Sequence, residues 1–336
     1  MLAKIAFNSI LGLFAIFFWL KFVNLEDVKT TLLTVKPLLL LPVFITLWAS
    51  ISIRAFRLKV FLQPIIKIKS LEVILLNGVS ALLNFLIPIR AGDITRGIYL
   101  GRTYKVPVPK TLTWIFIDRF IDILVLLGLV PILLMIVPNR LGTQVGVYAL
   151  ILSGILLIIA YAMTYQPQIA KKLLYFLSKL LVFNGLKKHF LNLSIHMLES
   201  FELLNRSIKS LGYIIFITIM AYVFDGLTIY LVFLSLGVDI PYIKTFLAQF
   251  LSALTFLIPA APGYVGSAEA SALVVFSFVL GIDQNLASSM VLIYHALLAI
   301  FIIGYGIFCL YALNLNPFSL LKRVSTHPSS GGKEED

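Results

Sequence analysis

The chain has 336 residues, of which 60% are hydrophobic and only 12% charged, and its formal net charge is +12. An ordinary soluble domain carries about 25% charged residues, so this composition excludes a soluble globular protein and predicts that the lipid bilayer is the solvent. The lysines and arginines cluster beside apolar segments rather than along a soluble face. They therefore favour anionic lipid headgroups over nucleic acid as partners.

The first apolar stretch lacks a small-residue cleavage site, and we interpret it as a retained first helix rather than a signal peptide. Seven more long apolar segments follow it. The eight candidates are residues 5–23, 37–53, 71–88, 111–137, 144–165, 211–236, 245–281 and 286–313. Residues 1–321 are therefore predicted to form a single all-α, polytopic integral membrane domain.

Two polar segments and the single cysteine limit what else the chain contains. Residues 166–210 mix seven Lys and Arg with Leu and Phe, which is typical of amphipathic helices on the cytoplasmic membrane surface. Residues 322–336 are rich in Ser, Gly and charge, and they are predicted to be a disordered cytoplasmic tail. Cys309 lies in the last apolar segment, which excludes a disulfide framework and a Cys-ligated metal site. We expect no cofactor and no metal.

An internal repeat organises the apolar part of the chain. Residues 83–92 (LNFLIPIRAG) match residues 254–263 (LTFLIPAAPG) at six of ten positions, with an offset of 171 residues. Leu and Ile identities carry little weight in so apolar a chain. The spacing of helix breakers carries more, because Pro and Gly stand four apart in both copies. We interpret the match as a true repeat.

The positive-inside rule then selects a topology. With eight full spans and a cytoplasmic loop at 54–70, the basic loops 89–110 and 166–210 lie outside, against the rule. If residues 71–97 and 245–281 are instead re-entrant hairpins that enter from opposite sides, every basic loop becomes cytoplasmic. This arrangement predicts six full spans, both termini in the cytoplasm, and an inverted repeat of the kind found in transporters. The leading limb of the first hairpin is nearly long enough to cross, so eight spans stay open as the alternative.

Helix breakers mark both predicted hairpins. They are Pro88 and Gly92 in the first, and Pro259, Pro262, Gly263 and Gly266 in the second. Backbone groups freed inside a membrane are tolerated only where protein or a water-filled cavity surrounds them, so paired breaks predict a pathway. Ordinary kinks or loop ends at the membrane surface are the alternative interpretation.

Three charged residues follow the first break. Arg90, Asp93 and Arg96 are spaced to lie together on a helical turn near the positive N-terminus of a helix. Arginine suits a lipid phosphate because its planar fork donates paired hydrogen bonds and stays charged. The cluster predicts a phosphate site, with a solvated cytoplasmic loop as the alternative.

A second charged group lies inside an apolar run. Asp118, Arg119 and Asp122 each cost about 2.5–3.5 kcal/mol if unpaired in a membrane, so they must pair or face water. The two aspartates are four apart and share one helix face. Arg119 is therefore expected to pair with one of them or to reach the segment that begins at Arg90. A purely structural ion-pair lock stays open for Asp122.

Three further titratable residues fall within predicted membrane segments. Glu269 follows Pro262 by seven residues in the second hairpin, His295 lies in the last span, and Asp225 lies in residues 211–236. Glu269, which accompanies the break, and His295 are candidates for the substrate site. Asp225 is equally interpreted as a hydrogen bond between helices, and His295 as a structural histidine.

Enzyme motifs are absent from the sequence. It has four histidines but no HExxH pattern, no Walker-type glycine loop, no dinucleotide fingerprint and no nucleophile elbow. ATP-driven transport within this chain is therefore excluded, and we expect that the protein is not an enzyme.

The sequence resembles the transmembrane domain of lysylphosphatidylglycerol synthases and related stand-alone flippase-like membrane proteins over nearly its whole length. Four motifs carry the resemblance. They are Pro88-Ile-Arg90-Ala-Gly92-Asp93-Ile-Thr-Arg96, Asp118-Arg119-Phe-Ile-Asp122, Pro262-Gly263-Tyr-Val-Gly266-Ser-Ala-Glu269, and Tyr294-His295. The family pattern has Tyr-Arg at the last motif and often Glu in place of Asp118. Whether His295 replaces that arginine in function stays open.

The resemblance implies lipid translocation without aminoacylation, because the soluble synthase domain has no counterpart in this sequence. Our first hypothesis is an ATP-independent translocase of an anionic phospholipid or a lipid-linked sugar phosphate in a prokaryotic cell membrane. A membrane subunit, accessory or catalytic, of lipid-linked glycosyl transfer or phospholipid modification is the second. Such a glycosyltransferase or lipid-modifying enzyme is a candidate partner. A scaffold whose charges only hold helices together is the third.

Overall fold

A computed structural model describes residues 2–63, 66–87, 91–179, 187, 208–255 and 261–315. Every regular element within these ranges is helical. The first six helices are α1 (Leu2–Leu20), α2 (Leu25–Leu33), α3 (Leu41–Leu62, preceded by the 3₁₀ turn Pro37–Leu40), α4 (Ser70–Leu86), α5 (Ala91–Thr103) and α6 (Val108–Ile136). The other six are α7 (Gly142–Tyr165), α8 (Pro167–Lys179), α9 (Ile208–Ser235), α10 (Tyr242–Thr255), α11 (Ser267–Ala272) and α12 (Gln284–Ala312).

Five described helices are long and apolar enough to cross a membrane. They are Pro37–Leu62, Lys110–Ile136, Gly142–Ile159, Leu211–Ser235 and Gln284–Ala312. These correspond to five of the six predicted full spans, and the chain is a polytopic membrane protein. The first predicted span forms α1, whose crossing of the membrane stays a prediction. In the polar segment 166–210, the first part forms α8, and most of the rest lies outside the described residues. The predicted tail also lies outside them.

One prediction about α3 is wrong. The sequence predicts that a loop begins at residue 54, whereas α3 continues to Leu62. The reason is that Arg54 and Arg57 turn into the bundle and pair with aspartates there, while Leu58 and Leu62 are completely buried beside them. A paired arginine is tolerated at a depth where an isolated one is not.

Helices α4 and α5 form a helical hairpin whose two ends lie together. Tyr99, near the end of α5, and Tyr104, directly after it, both donate hydrogen bonds to Glu72 in the first turn of α4, at 3.0 and 2.9 Å. The end of α3 lies at the same level, because Nζ of Lys59 donates to Oγ of Ser70 at 2.6 Å. The hairpin therefore leaves and returns to one end of the bundle.

A second broken segment returns to the other end. It consists of α10, the 3₁₀ turn Pro262–Tyr264, α11 and a π-helical stretch, Leu273–Val279. After α6 ends, the backbone N–H of Arg140 donates to the carbonyl of Val279 at 2.7 Å. The N–H of Lys36, shortly before α3, donates to the carbonyl of Ser235, the last residue of α9, and α10 follows after a short connection. The far end of α6 and the start of α3 thus mark the base of this segment, opposite the base of the first hairpin.

The two broken segments meet inside the bundle. The Phe85 ring, one residue before the end of α4, lies 6.0 Å from the Tyr264 ring and 6.4 Å from the His295 ring. A Cβ added to Gly263 would lie 3.6 Å from the same phenylalanine. The tips of both segments are therefore packed against each other and against the middle of α12.

Candidate functional site: a buried ionic cluster and a helix break

Close packing of α4 and α5 positions the first charged residues. The backbone N–H of Gly92 donates to the Asn84 side-chain oxygen at 2.9 Å, and a Cβ at position 92 would lie 1.9 Å from the carbonyl oxygen of Ser80. Only glycine permits this approach. As a result Asp93 and Arg96, in the first two turns of α5, point into the space between α4, α3 and α6.

Arg57 is the centre of the ionic cluster, and sequence reasoning did not find it. Its side chain is 0% exposed, and its Nε lies 3.0 Å from Asp118 while its Nη1 lies 2.5 Å from Asp122. Nη2 donates to the second oxygen of Asp122 at 3.2 Å and to the backbone carbonyl of Asp118 at 3.1 Å. Thr218 on α9 accepts a further hydrogen bond at 3.0 Å. One guanidinium therefore ties α3 to both α6 and α9.

Asp93 is the meeting point of the other two arginines. Arg96 lies 3.3 Å from Asp93 and 3.5 Å from Asp118, and it also donates to the side chain of Asn77 at 2.9 Å. Arg119 lies 3.2 Å from Asp93 and 3.5 Å from Asp122. The expectation that Arg119 pairs with an aspartate or reaches the segment after the first break is confirmed in both forms.

The cluster contains equal numbers of opposite charges. Its six members are Arg57, Arg96, Arg119, Asp93, Asp118 and Asp122. Three cations and three anions balance, which reduces the cost of placing them in a membrane. The arginines differ in access: Arg57 and Arg96 are 0% and 1% exposed, whereas Arg119 is 30% exposed. Arg119 is therefore the cluster's accessible cation.

A second ion pair extends the polar interior. Arg54 lies 2.6 Å from Asp225, which also accepts from Ser50 at 2.5 Å and from Gln249 at 3.5 Å. The guanidinium carbon of Arg54 lies 5.1 Å from the centre of the Tyr222 ring, within cation–π range. Asp225 thus links α9 to α3 and α10, as its interpretation as a hydrogen bond between helices predicts.

The second break carries its own polar unit. The Glu269 carboxylate accepts from the backbone N–H of Gly266 at 2.7 Å, and its other oxygen lies 2.9 Å from Nδ1 of His295. Nε2 of the same ring lies 2.5 Å from the carbonyl oxygen of Gly263. Gly263 and Gly266 adopt φ of +67° and +81°, values that favour glycine. The break is therefore tied to α12 through one histidine.

The base of the first hairpin is held by neutral donors. Burial, followed by the hydrogen bond to Glu72, raises the pKa of Tyr104 above its ordinary value. The phenol therefore stays protonated across the physiological pH range and keeps donating. The donor side of this contact therefore does not change with pH in that range, unlike a histidine donor.

The predicted site residues fall into two groups. Gly92, Asp93, Arg96, Asp118, Arg119 and Asp122 lie in or beside the ionic cluster, while Pro262, Gly263, Gly266, Glu269 and His295 form the second break. Pro88, Arg90 and Pro259 lie outside the described residues. Sequence reasoning missed Arg54 and Arg57, although their spacing of three inside a continuing apolar run was a signal.

A bundle with apolar spans, two opposed broken segments and a buried, balanced ionic cluster defines a polytopic membrane protein with a polar interior. The chain belongs to the family described as "Lysylphosphatidylglycerol synthase TM region", whose model matches residues 2–306. This confirms the resemblance drawn from the four motifs. The chain is also similar to UPF0104 membrane protein MJ1078 of Methanocaldococcus jannaschii, with 24% identity over 237 residues that cover 70% of this chain and 95% of the relative. No solved structure is significantly similar to it.

Proposed function

We propose that the protein is an ATP-independent translocase that moves an anionic phospholipid, or a sugar carried on a lipid phosphate, between the leaflets of the cell membrane. The observation that carries this proposal is the partial exposure of Arg119 at the edge of an otherwise buried cluster. Its two aspartate contacts, at 3.2 and 3.5 Å, are longer than those of Arg57, at 3.0 and 2.5 Å, so a phosphate competes for Arg119 more easily than for Arg57.

The balanced charge of the cluster supports transport rather than permanent binding. A phosphate that pairs with Arg119 leaves Asp93 with Arg96 and leaves Asp122 with Arg57. No carboxylate is then left unpaired in the membrane, and Arg119 pairs again with Asp93 and Asp122 when the lipid leaves. Arg90, directly before α5, is proposed as a second phosphate ligand, whereas Arg96 holds Asp93 in position from inside.

We further propose that the two broken segments are re-entrant hairpins in an inverted arrangement. Their bases mark opposite ends of the bundle, and their tips meet beside α12 at Phe85 and Tyr264. In transporters built from inverted repeats, the substrate site lies near the midplane where broken helices meet. The headgroup would cross there while the acyl chains stay in lipid. Both termini would then be cytoplasmic, and an enzyme that makes or consumes the lipid is the proposed partner.

Leaflet exchange in proteoliposomes tests the proposal. Vesicles with and without the protein carry a fluorescent phosphatidylglycerol or, in parallel, a fluorescent phosphatidylcholine, and an impermeant quencher added outside reports the inner pool. We expect the protein to accelerate exchange of the anionic lipid more than that of the zwitterionic one. Equal exchange with and without protein, for both probes and for a lipid-linked sugar phosphate, would rule out translocation. Consumption of a nucleotide sugar by the purified protein would instead support the glycosyl-transfer alternative.

A further inference from the structure

The hydrogen bonds of His295 determine how many protons the His295 and Glu269 side chains must hold between them. A backbone carbonyl only accepts hydrogen bonds, so Nε2 must carry a proton to bond with the Gly263 oxygen at 2.5 Å. Nδ1 faces a Glu269 oxygen at 2.9 Å. If the carboxylate is ionised, Nδ1 must also carry a proton, whereas if the ring is neutral, the carboxyl must carry it. Either way the contact needs one proton more than a neutral ring and a carboxylate supply.

Loss of that proton breaks one of the two contacts. A neutral imidazole has one N–H, and it would then face two acceptors, the Glu269 carboxylate and the Gly263 carbonyl. One nitrogen is left pointing its lone pair at an oxygen, which is repulsive. The histidine and glutamate side chains are 14% and 9% exposed, so the proton has a route to water but the pair is largely shielded.

Within the described part of the chain, no other charged side chain pairs with Glu269 or His295. Among the side chains that the structure describes, the charged ones on or directly beside the elements packed against α11 and α12 are Lys21 after α1, Glu26, Asp27 and Lys29 on α2, Arg54, Arg57 and Lys59 on α3, Glu72 on α4, Asp225 on α9 and Lys244 on α10. Arg54 and Arg57 are already paired with aspartates, and Asp27 bonds to Asn285 at the start of α12. Among the described residues none of them forms an ion pair with Glu269 or His295.

We propose that Glu269 and His295 together bind one exchangeable proton, and that this proton locks the broken segment 262–266 onto α12. When the pH rises, the proton leaves to water, one hydrogen bond is lost, and the tip of the second hairpin is released. The lock is present at low pH and is lost at high pH. Its role in transport rests on the proposed function: if the protein translocates lipid, the Glu269–His295 pair is the site at which a proton gradient acts on the second hairpin.

Two substitutions keep the contacts but remove the need for the extra proton. Glu269→Gln offers an oxygen to the Gly266 N–H and an NH₂ group to Nδ1, so a neutral ring satisfies every partner. His295→Arg keeps a donor to both oxygens and does not lose its charge at any accessible pH. Melting midpoints of the purified wild type and both variants are measured in detergent between about pH 6 and pH 9, the range that brackets histidine titration beside an acid.

We expect the wild-type midpoint to fall as the pH rises and the two variants to fall less or not at all. Parallel curves for the wild type and the variants would overturn the proposal. If neither variant folds, hydrogen exchange of the wild-type amides in 262–272 decides: protection must fall with pH beyond the intrinsic exchange rate, and unchanged protection overturns it. Leaflet exchange is scored separately. Its absence at every pH would refute the translocase, while the proton lock would still be judged by the melting and exchange data.

Discussion

Replacing Arg57 with methionine is expected to abolish the folded protein. Methionine keeps the apolar length of the side chain but removes the guanidinium that lies 3.0 Å from Asp118 and 2.5 Å from Asp122. The cluster then holds three carboxylates and two arginines, and the remaining contacts of Asp118 and Asp122 are both 3.5 Å long. Removing one partner of a buried ion pair costs about 3–5 kcal/mol, because the remaining charge stays buried and uncompensated. Here two carboxylates lose their principal partner, so the loss should reach the upper part of that range. The measurement is the monodisperse yield and melting midpoint in detergent.

Arg102 provides the matched control. It is an exposed arginine on α5, near the cluster in sequence but outside it, and Arg102→Met should change the stability by no more than about 0.5 kcal/mol. Arg57→Lys keeps the charge but loses the planar fork, so an intermediate midpoint is expected. A normal yield and midpoint for Arg57→Met would show that the cluster does not hold α3, α6 and α9 together.

The Arg119→Gln variant is expected to fold normally but to lose most of its anionic lipid exchange. Each carboxylate that it releases keeps another partner, since Asp93 retains Arg96 at 3.3 Å and Asp122 retains Arg57 at 2.5 Å. A hydrogen bond to a charged group contributes about 1.5–3 kcal/mol, which corresponds to roughly a tenfold to hundredfold slower exchange if the bond forms in the rate-limiting state. The measurement is the exchange rate of fluorescent phosphatidylglycerol in proteoliposomes at matched protein content.

Two further variants separate charge from position. Arg119→Lys keeps a cation without the fork and should retain part of the rate, while Arg102→Gln should retain all of it. An unchanged rate in Arg119→Gln would remove this residue from the lipid path. A loss of rate accompanied by an equal loss of melting midpoint would favour the scaffold interpretation instead.

The sequence was sufficient to predict most of the architecture. Hydropathy located the five long spans, and the positions of Pro and Gly located both breaks, because helix breakers in an apolar run are local signals. The cost of unpaired charge in a membrane predicted that Asp118, Arg119 and Asp122 must find partners. The start of α5 at Ala91 also agrees with the expectation that Asp93 and Arg96 follow a helix N-terminus.

The ion-pair partners of these buried charges could not be predicted from local sequence. Arg57 lies 61 residues before Asp118 in the chain, and its pairing depends on how α3 packs against α6. Read locally, a run with two arginines and a lysine after an apolar segment indicates a loop at the membrane surface, and this is why residues 54–70 were interpreted wrongly. Likewise, Glu269 and His295 were both recognised as titratable, but their contact is formed by the fold of the second break.

Lipid translocation as proposed depends on two hairpins that open to opposite sides of the membrane, and cysteine labelling tests this most directly. Cys309 is buried, and its replacement by alanine provides a background for single cysteines. The probes are Lys69→Cys and Arg102→Cys at the base of the first hairpin, and Asp239→Cys and Gln284→Cys at the base of the second. With an impermeant maleimide on intact cells, the first two should be labelled only after lysis and the last two without it. Labelling of positions 69 and 102 from opposite sides would contradict the account, because the first hairpin would then cross the membrane.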